Sequence, residues 1–240
     1  MTEAPETELS FEPMKYELKR KILHFFFPTR CPVCGEVIDA MGRFCPECEE
    51  KLTQYTGSFN VRGASGFTAA YVYDKTSSPA VILMKKGVCG NADYALGQAL
   101  AGKLRDSGIA EKCEVIIPVP LHRSSQRERG YNQAELIANE LSRELDIPVA
   151  SECIIKVKKT AAQKKLNRIQ RQSNLKGAFS VADSLPFSGK TVLLVDDVCT
   201  TGSTLSEITA LLNNSGADAV YCAACCKTPP GNGNNQVQQG

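Results

Sequence analysis

Apolar residues along this chain recur in two patterns that take turns. FTAAYVY (67–73) predicts a strand, and VIIPV (115–119), VLLV (192–195) and AVYCAAC (219–225) are apolar runs of strand length that each predict a buried strand. Between them the apolar positions fall at helical spacing. Residues 77–86 predict a short helix, and 92–105 a longer one with Leu96, Leu100 and Leu104 in a single stripe. Asn132 and Glu135 have the spacing of a capping box ahead of Ile137, Leu141 and Leu145. Leu205, Ile208, Leu211 and Leu212 mark a last helix that Gly216 stops. Buried strands alternating with amphipathic helices predict an α/β fold, a parallel sheet with helices on both faces.

The ends of the chain lack such patterning. Residues 1–13 hold Glu3, Glu6, Glu8 and Glu12 and no Lys or Arg, and predict an acidic, partly disordered segment. TPPGNGNNQVQQG (228–240) has one apolar side chain and predicts a disordered tail. Over all 240 residues the formal charge is +2; without the four N-terminal carboxylates the remainder stands at +6. No apolar run approaches the ~20 residues that span a bilayer, so no membrane insertion is expected. The acidic opening is unlike a secretory signal. Together with an odd count of 11 cysteines, it predicts a cytoplasmic protein without a disulfide framework.

Four of those cysteines stand in CPVC (31–34) and CPEC (45–48), two Cys-x2-Cys pairs ten residues apart. Cys31, Cys34, Cys45 and Cys48 therefore predict a structural zinc ribbon: four thiolates satisfy tetrahedral Zn²⁺ and leave no open position for catalysis. Gly35 permits the left-handed backbone after the first pair. His24 lies outside this pattern. Cys222, Cys225 and Cys226 sit in a strand pattern that sends Cys222 and Cys225 to opposite faces, so they predict core packing and not a second metal site.

VLLVDDVCTTGST (192–204) carries the most chemistry. A buried strand ends in two carboxylates, followed by a turn of hydroxyl residues with one Gly, and then a helix. Such a turn presents backbone N–H groups beside the positive end of the helix and suits a phosphate monoester. Two carboxylates beside a phosphate cradle make sense if they face hydroxyls or Mg²⁺. A sugar phosphate satisfies both demands.

This stretch resembles the 5-phosphoribosyl-1-pyrophosphate (PRPP) motif of type I phosphoribosyltransferases. The resemblance implies a Rossmann-like sheet, with Asp196 and Asp197 at the ribose hydroxyls. It implies Thr200, Thr201, Gly202, Ser203 and Thr204 at the 5′-phosphate, and Mg²⁺ bound with PRPP. PVPLHRSSQRERGYNQAELIANEL (118–141) and KKTAAQKKLNRIQRQSNLKGAF (158–179) are similar to blocks of the ComF family, where an N-terminal four-cysteine ribbon is also usual. The chain is identified by these motifs as a member of that family, whose relatives serve bacterial competence and DNA utilisation. The implied domains are 1–24, an acidic N-terminal segment; 25–55, the ribbon; 56–227, the transferase-like domain; and 228–240, the tail.

No acid occurs from Cys153 to Ala182, a stretch that includes Lys156, Lys158, Lys159, Lys164, Lys165, Arg168 and Arg171. In the resembled family a loop here closes over PRPP, making Lys158, Lys159, Gln163 and Arg171 candidates for stabilising pyrophosphate as it leaves. Arg123 and Arg129, after VIIPV, are placed by the same resemblance at the pyrophosphate. The cations also suit a solvated face or a single-stranded DNA backbone. Two departures stand out: Thr200 replaces the carboxylate of hypoxanthine–guanine enzymes, and Lys156 and Lys158 stand where relatives often have Arg, losing the bidentate fork. Three functions share the loop: transfer of phosphoribose to a nitrogen acceptor, an accessory role in single-stranded DNA uptake beside a competence helicase, and PRPP sensing without turnover.

Overall fold

The computed structural model describes residues 13–86, 91–158 and 177–229. Its centre is a four-stranded, wholly parallel sheet. The strands are β1 (Gly66–Val72), β2 (Val115–Pro118), β5 (Thr191–Cys199) and β6 (Ala219–Lys227), in the order β1-β6-β5-β2. Each strand is the apolar run seen in the sequence, and β5 is longer than its run. The ladder with β6 continues past Val195, pairing Asp196 with Ala224 and Cys199 with Lys227. The carboxyl pair thus lies within the strand rather than after it.

Side chains of the strands alternate between two apolar layers, as the period of two requires. Leu193, Val195, Ala223 and Cys225 enter one layer, formed with α3 (Ser78–Lys85), α4 (Ala92–Asp106) and α6 (Gln133–Leu145). Val192, Leu194, Val220, Cys222 and Ala224 enter the other, beneath α7 (Ser203–Asn214). Cys222 and Cys225 therefore point to opposite layers, both in apolar packing. Leu96, Leu100 and Leu104 are fully buried along α4. Gly216, at φ +100°, follows the end of α7. A left-handed residue there is one that a side chain would oppose.

Three local expectations are corrected. Asn132 does cap α6, but its side chain accepts from the N–H of Ala134 at 3.2 Å, not from that of Glu135, while its Nδ2 donates to Val119 O at 3.0 Å. The cap is thus an anchor to the end of β2. The acid-free stretch contains strands: β3 (Ile154–Lys156) pairs antiparallel with β4 (Phe179–Val181). Finally, a helix, α1 (Pro13–Phe26), runs through the position where the acidic segment was expected to meet the ribbon. Residues 1–12, 159–176 and 230–240, which include both expected disordered ends and most of the basic loop, lie outside the described residues.

The ribbon follows α1 and includes α2 (Pro46–Lys51). It packs on the sheet edge through Phe44, whose ring meets that of Tyr71 edge-on at 5.9 Å. Asn91, just ahead of α4, donates from Nδ2 to the carbonyls of Gly42 and Arg43 at 2.6 and 3.2 Å. Among the described residues, no helix is long and apolar enough to cross a membrane.

Candidate functional site

The sheet's C-terminal edge, where parallel α/β folds bind ligands, collects the polar residues of β5. Asp196 and Asp197 are partly buried, and each folds back on the backbone. Asp196 Oδ1 accepts from the N–H of Asp197 at 2.8 Å, and Asp197 Oδ1 from that of Val198 at 2.7 Å. Burial pushes the Asp196 carboxyl well above the usual carboxylate range, and the neighbouring Asp197 charge pushes it further. Lys85, the last residue of α3, opposes this: its Nζ lies 2.7 Å from Asp197 Oδ2.

Beyond Cys199 the chain turns through Thr200, Thr201 and Gly202 into α7. Gly202 caps the helix at φ +72°. A Cβ here would also lie 2.7 Å from Cε1 of Phe59, so the position demands glycine on two grounds. Thr201 Oγ1 and Ser203 Oγ are hydrogen-bonded at 2.8 Å. Ser203 and Thr204 form the first turn of α7, whose free N–H groups and dipole favour an anion.

The loop is held from behind by Lys227, at the end of β6. Its Nζ donates to the carbonyls of Thr200 and Thr228 at 2.7 and 2.8 Å, and it sits 4.2 Å from the centre of the Phe59 ring. The Thr200 carbonyl is thereby turned toward this ammonium, which ties the start of the loop to the end of β6. Cys199 is buried in the same place, its thiol pushed up to about 12 chiefly by burial, which makes it an unreactive packing group.

Of the cations expected around the site, Lys156 ends β3. Burial lowers its pKa, and the Asp196 charge opposes that shift. Lys158 follows β3, while Lys159, Gln163 and Arg171 lie outside the described residues. Arg123 and Arg129 open and close the short helix α5 (Arg123–Arg129), next along the chain from β2; both are exposed, and Arg129 Nη1 donates to Gln133 Oε1 at 2.9 Å. A backbone bridge between His122 and Lys156 brings the start of α5 beside β3.

Sequence reasoning overlooked Lys85, Lys227 and Phe59. Lys227 had a legible signal, a lysine closing an otherwise apolar strand. Lys85 looked like an ordinary basic residue in a last helical turn. Phe59 lies in a stretch without periodicity, and only tertiary structure brings it to Gly202.

The second site is the cysteine cluster. The Sγ atoms of Cys31, Cys34, Cys45 and Cys48 all lie within 4.8 Å of one another, with Cys34 and Cys45 at 3.6 Å. A tetrahedron of thiolates at ~2.3 Å from zinc has edges of about 3.8 Å, so the four fit that ion. Gly35 takes φ +82° and its N–H donates to Cys31 O at 2.9 Å, closing the first turn. His24 is committed elsewhere, its Nδ1 accepting from the N–H of Thr29 at 3.0 Å.

Comparison with known proteins agrees with this division. Residues 132–236 match the phosphoribosyl transferase domain family, and residues 22–64 the double zinc ribbon domain family. The chain is 50% identical over 222 residues to Competence protein F of Haemophilus influenzae, covering 81% of this chain and 95% of that protein. It is 42% identical over 204 residues to DNA utilization protein YhgH of Escherichia coli K12, covering 83% of this chain and 85% of the relative. Competence protein ComFC of Bacillus subtilis is 26% identical over 190 residues, covering 79% of this chain and 73% of that protein.

Proposed function

This chain belongs to the ComF family of competence and DNA-utilisation proteins, and on that premise we infer that it binds Mg²⁺-PRPP at the β5–α7 loop and transfers phosphoribose to a nitrogen acceptor. One observation carries this: a carboxyl pair and a glycine-capped hydroxyl loop stand together at the C-terminal edge of the sheet. Asp196 and Asp197 accept from the ribose hydroxyls. Thr200, Thr201, Ser203 and Thr204, with the backbone N–H groups around Gly202, hold the 5′-phosphate. Arg123, Arg129, Lys158, Lys159, Gln163 and Arg171 serve the pyrophosphate end.

The acceptor nitrogen forms a bond to the anomeric carbon as the bond to pyrophosphate breaks. Pyrophosphate leaves with the electron pair, and the nitrogen gives up its proton to solvent. Bound Mg²⁺ supplies neutralisation of the pyrophosphate charge. The protein contributes positioning and fixed charge, for which no covalent intermediate is needed. In this proposal residues 25–55 serve as the ribbon and 56–227 as the transferase-like domain.

Calorimetry with Mg²⁺-PRPP tests the reading. Micromolar binding that Asp196→Asn with Asp197→Asn abolishes is expected; no binding, or binding untouched by that change, overturns it. Pyrophosphate release across a panel of nitrogen acceptors then separates transfer from sensing. The names of the relatives speak of competence and DNA utilization and support a second reading in which the chain is an accessory factor; we propose for it the handling of single-stranded DNA in the cytoplasm beside a competence helicase. It predicts salt-sensitive retention of single strands, lost when Lys158, Lys164 and Lys165 are neutralised.

A further inference from the structure

Two carboxylates close together at a ligand-binding edge are the usual start of a divalent-cation site. Mg²⁺ takes one or two carboxylates and completes its six oxygen ligands with water or phosphate. At the end of β5 most of that capacity is already spent. Asp196 Oδ1 accepts from the N–H of Asp197 and Asp197 Oδ1 from that of Val198. Asp197 Oδ2 faces the Lys85 ammonium at 2.7 Å. Three of the four carboxylate oxygens are thus engaged by donors of the chain itself, which leaves Asp196 Oδ2 for an incoming donor.

Charge is matched as well as oxygen. Lys85 stands at Asp197, and Lys156, at the end of β3, is within reach of the Asp196 charge. A bare divalent cation entering here meets two ammonium groups of its own sign. A hydroxyl brings no net charge and needs a single acceptor for its proton. Lys85 is also fixed in place. Met84, just before it in α3, is buried, and its carbonyl accepts from Tyr131 Oη. The C-terminal end of a helix further favours a cation. Lys86, one residue on, is exposed and lines a groove with Leu23 and Phe27, so only the first of these tandem lysines is committed to the pair.

We propose that Lys85 is a positioning residue that keeps free divalent cations off the Asp196–Asp197 pair and reserves it for the hydroxyls of a sugar phosphate. Metal then enters with the ligand, on its phosphates, and not ahead of it. Lys85 acts through Asp197: it holds that carboxylate in place and occupies the position from which a metal ion would bridge the pair. The inference deepens the PRPP reading and rests on it for the identity of the hydroxyls. The exclusion of bare metal rests on the pair and its lysine alone.

The test is titration of the zinc-loaded full chain with Mn²⁺ in the absence of PRPP, with free Mn²⁺ followed by electron paramagnetic resonance. Mn²⁺ shares the preference of Mg²⁺ for octahedral oxygen ligands. The parent and its Asp196→Asn with Asp197→Asn variant should bind Mn²⁺ alike. Lys85→Met should gain one site, with an affinity about tenfold or more above the parent's, because ligand charge sets the strength of such sites. Adding Asp197→Asn should remove that site again. Lys85→Arg keeps the charge and should behave as the parent, a rescue that a purely structural role would not register in metal binding. Two results overturn the proposal: a parent whose Mn²⁺ affinity falls when both aspartates become asparagine, and a folded Lys85→Met chain that gains no site. The first of these needs no change at Lys85, so it decides even where the methionine variant melts. A parent that excludes Mn²⁺ from the pair yet binds no Mg²⁺-PRPP by calorimetry strikes the sugar-phosphate reading and leaves the exclusion standing.

Discussion

Lys85 Nζ stands 2.7 Å from Asp197 Oδ2, so the end of α3 supplies the counter-charge for a carboxyl pair that belongs to β5. The two residues are 112 positions apart in sequence, and the pair closes the carboxyl end of the sheet against the helix layer. It also means that any ligand hydroxyl at Asp197 meets a carboxylate already held in place by a cation.

Lys85→Met should therefore leave two carboxyls with less opposing charge. Lys85 is 38% exposed on its side chain, so solvent screens much of the interaction and the expected loss is about 1 kcal/mol at pH 7. Burial lowers the pKa of Lys85 and the Asp197 charge raises it, with a net rise. Its stabilising contribution is thus complete at neutral pH and is lost only as pH climbs through the folded value, above 10.5. Urea denaturation should show a loss at pH 6, carried by Asp197, that grows toward pH 9 as Asp196 ionises beside the same ammonium. Equal stability of variant and parent would remove the pair from the ledger.

Asp196→Asn should raise the melting temperature at pH 8 while abolishing PRPP binding. The Asp196 pKa is raised in the folded state. Its contribution to stability is therefore complete below the ordinary carboxylate value near 4 and is lost as pH rises through the folded value. Asparagine escapes that loss. A gain of a few degrees at pH 8, about 1 kcal/mol for a domain of this size, should shrink toward nothing near pH 4. A gain that is the same at both values would point to a cause other than ionisation.

Gly202→Ala should cost about 1–3 kcal/mol, from a left-handed backbone and a collision with Phe59. In a Phe59→Ala background the collision is gone and the backbone cost remains, so the two changes should be non-additive by denaturant titration. Phe59→Ala alone uncovers one side of Lys227 and should weaken PRPP binding by several-fold, because the Thr200 carbonyl held by that ammonium gains freedom. Strict additivity would break the proposed contact.

Zinc should be present at one ion per chain by metal analysis of the purified protein. Stripping it should be felt beyond the ribbon, since Asn91 reaches from the start of α4 to the carbonyls of Gly42 and Arg43. Hydrogen exchange is expected to rise at Ala92–Ala95 as well as at Cys31–Cys48. A metal-free chain with unaltered protection at α4 would separate the two parts.

The four central strands, the helices α3, α4, α6 and α7, the cysteine cluster and the hydroxyl loop after Cys199 were legible in sequence, because each is written in local periodicity or spacing; α5, a polar helix of seven residues, was not. What was not legible depends on partners far along the chain. Phe59 and Gly202 touch across 143 positions, and no pattern near Phe59 announces it. The end of β5 was misplaced because Asp196 and Asp197 look like loop residues; the ladder to Ala224 and Cys226 overrides that local preference. The β3–β4 pair was hidden by its length of three residues a strand, too short for alternation to register.

That small antiparallel pair has an effect on how the family can change. Lys156 and Phe179 are direct ladder partners, so the two residues that bracket 157–178 stand one strand spacing apart, ~5 Å. A change in the length of the sequence between them need not separate these two points. The acid-free, cationic stretch of the chain thus begins and ends at a fixed anchor. A foreign segment grafted between these two residues should alter which anion the protein retains and leave its folding intact.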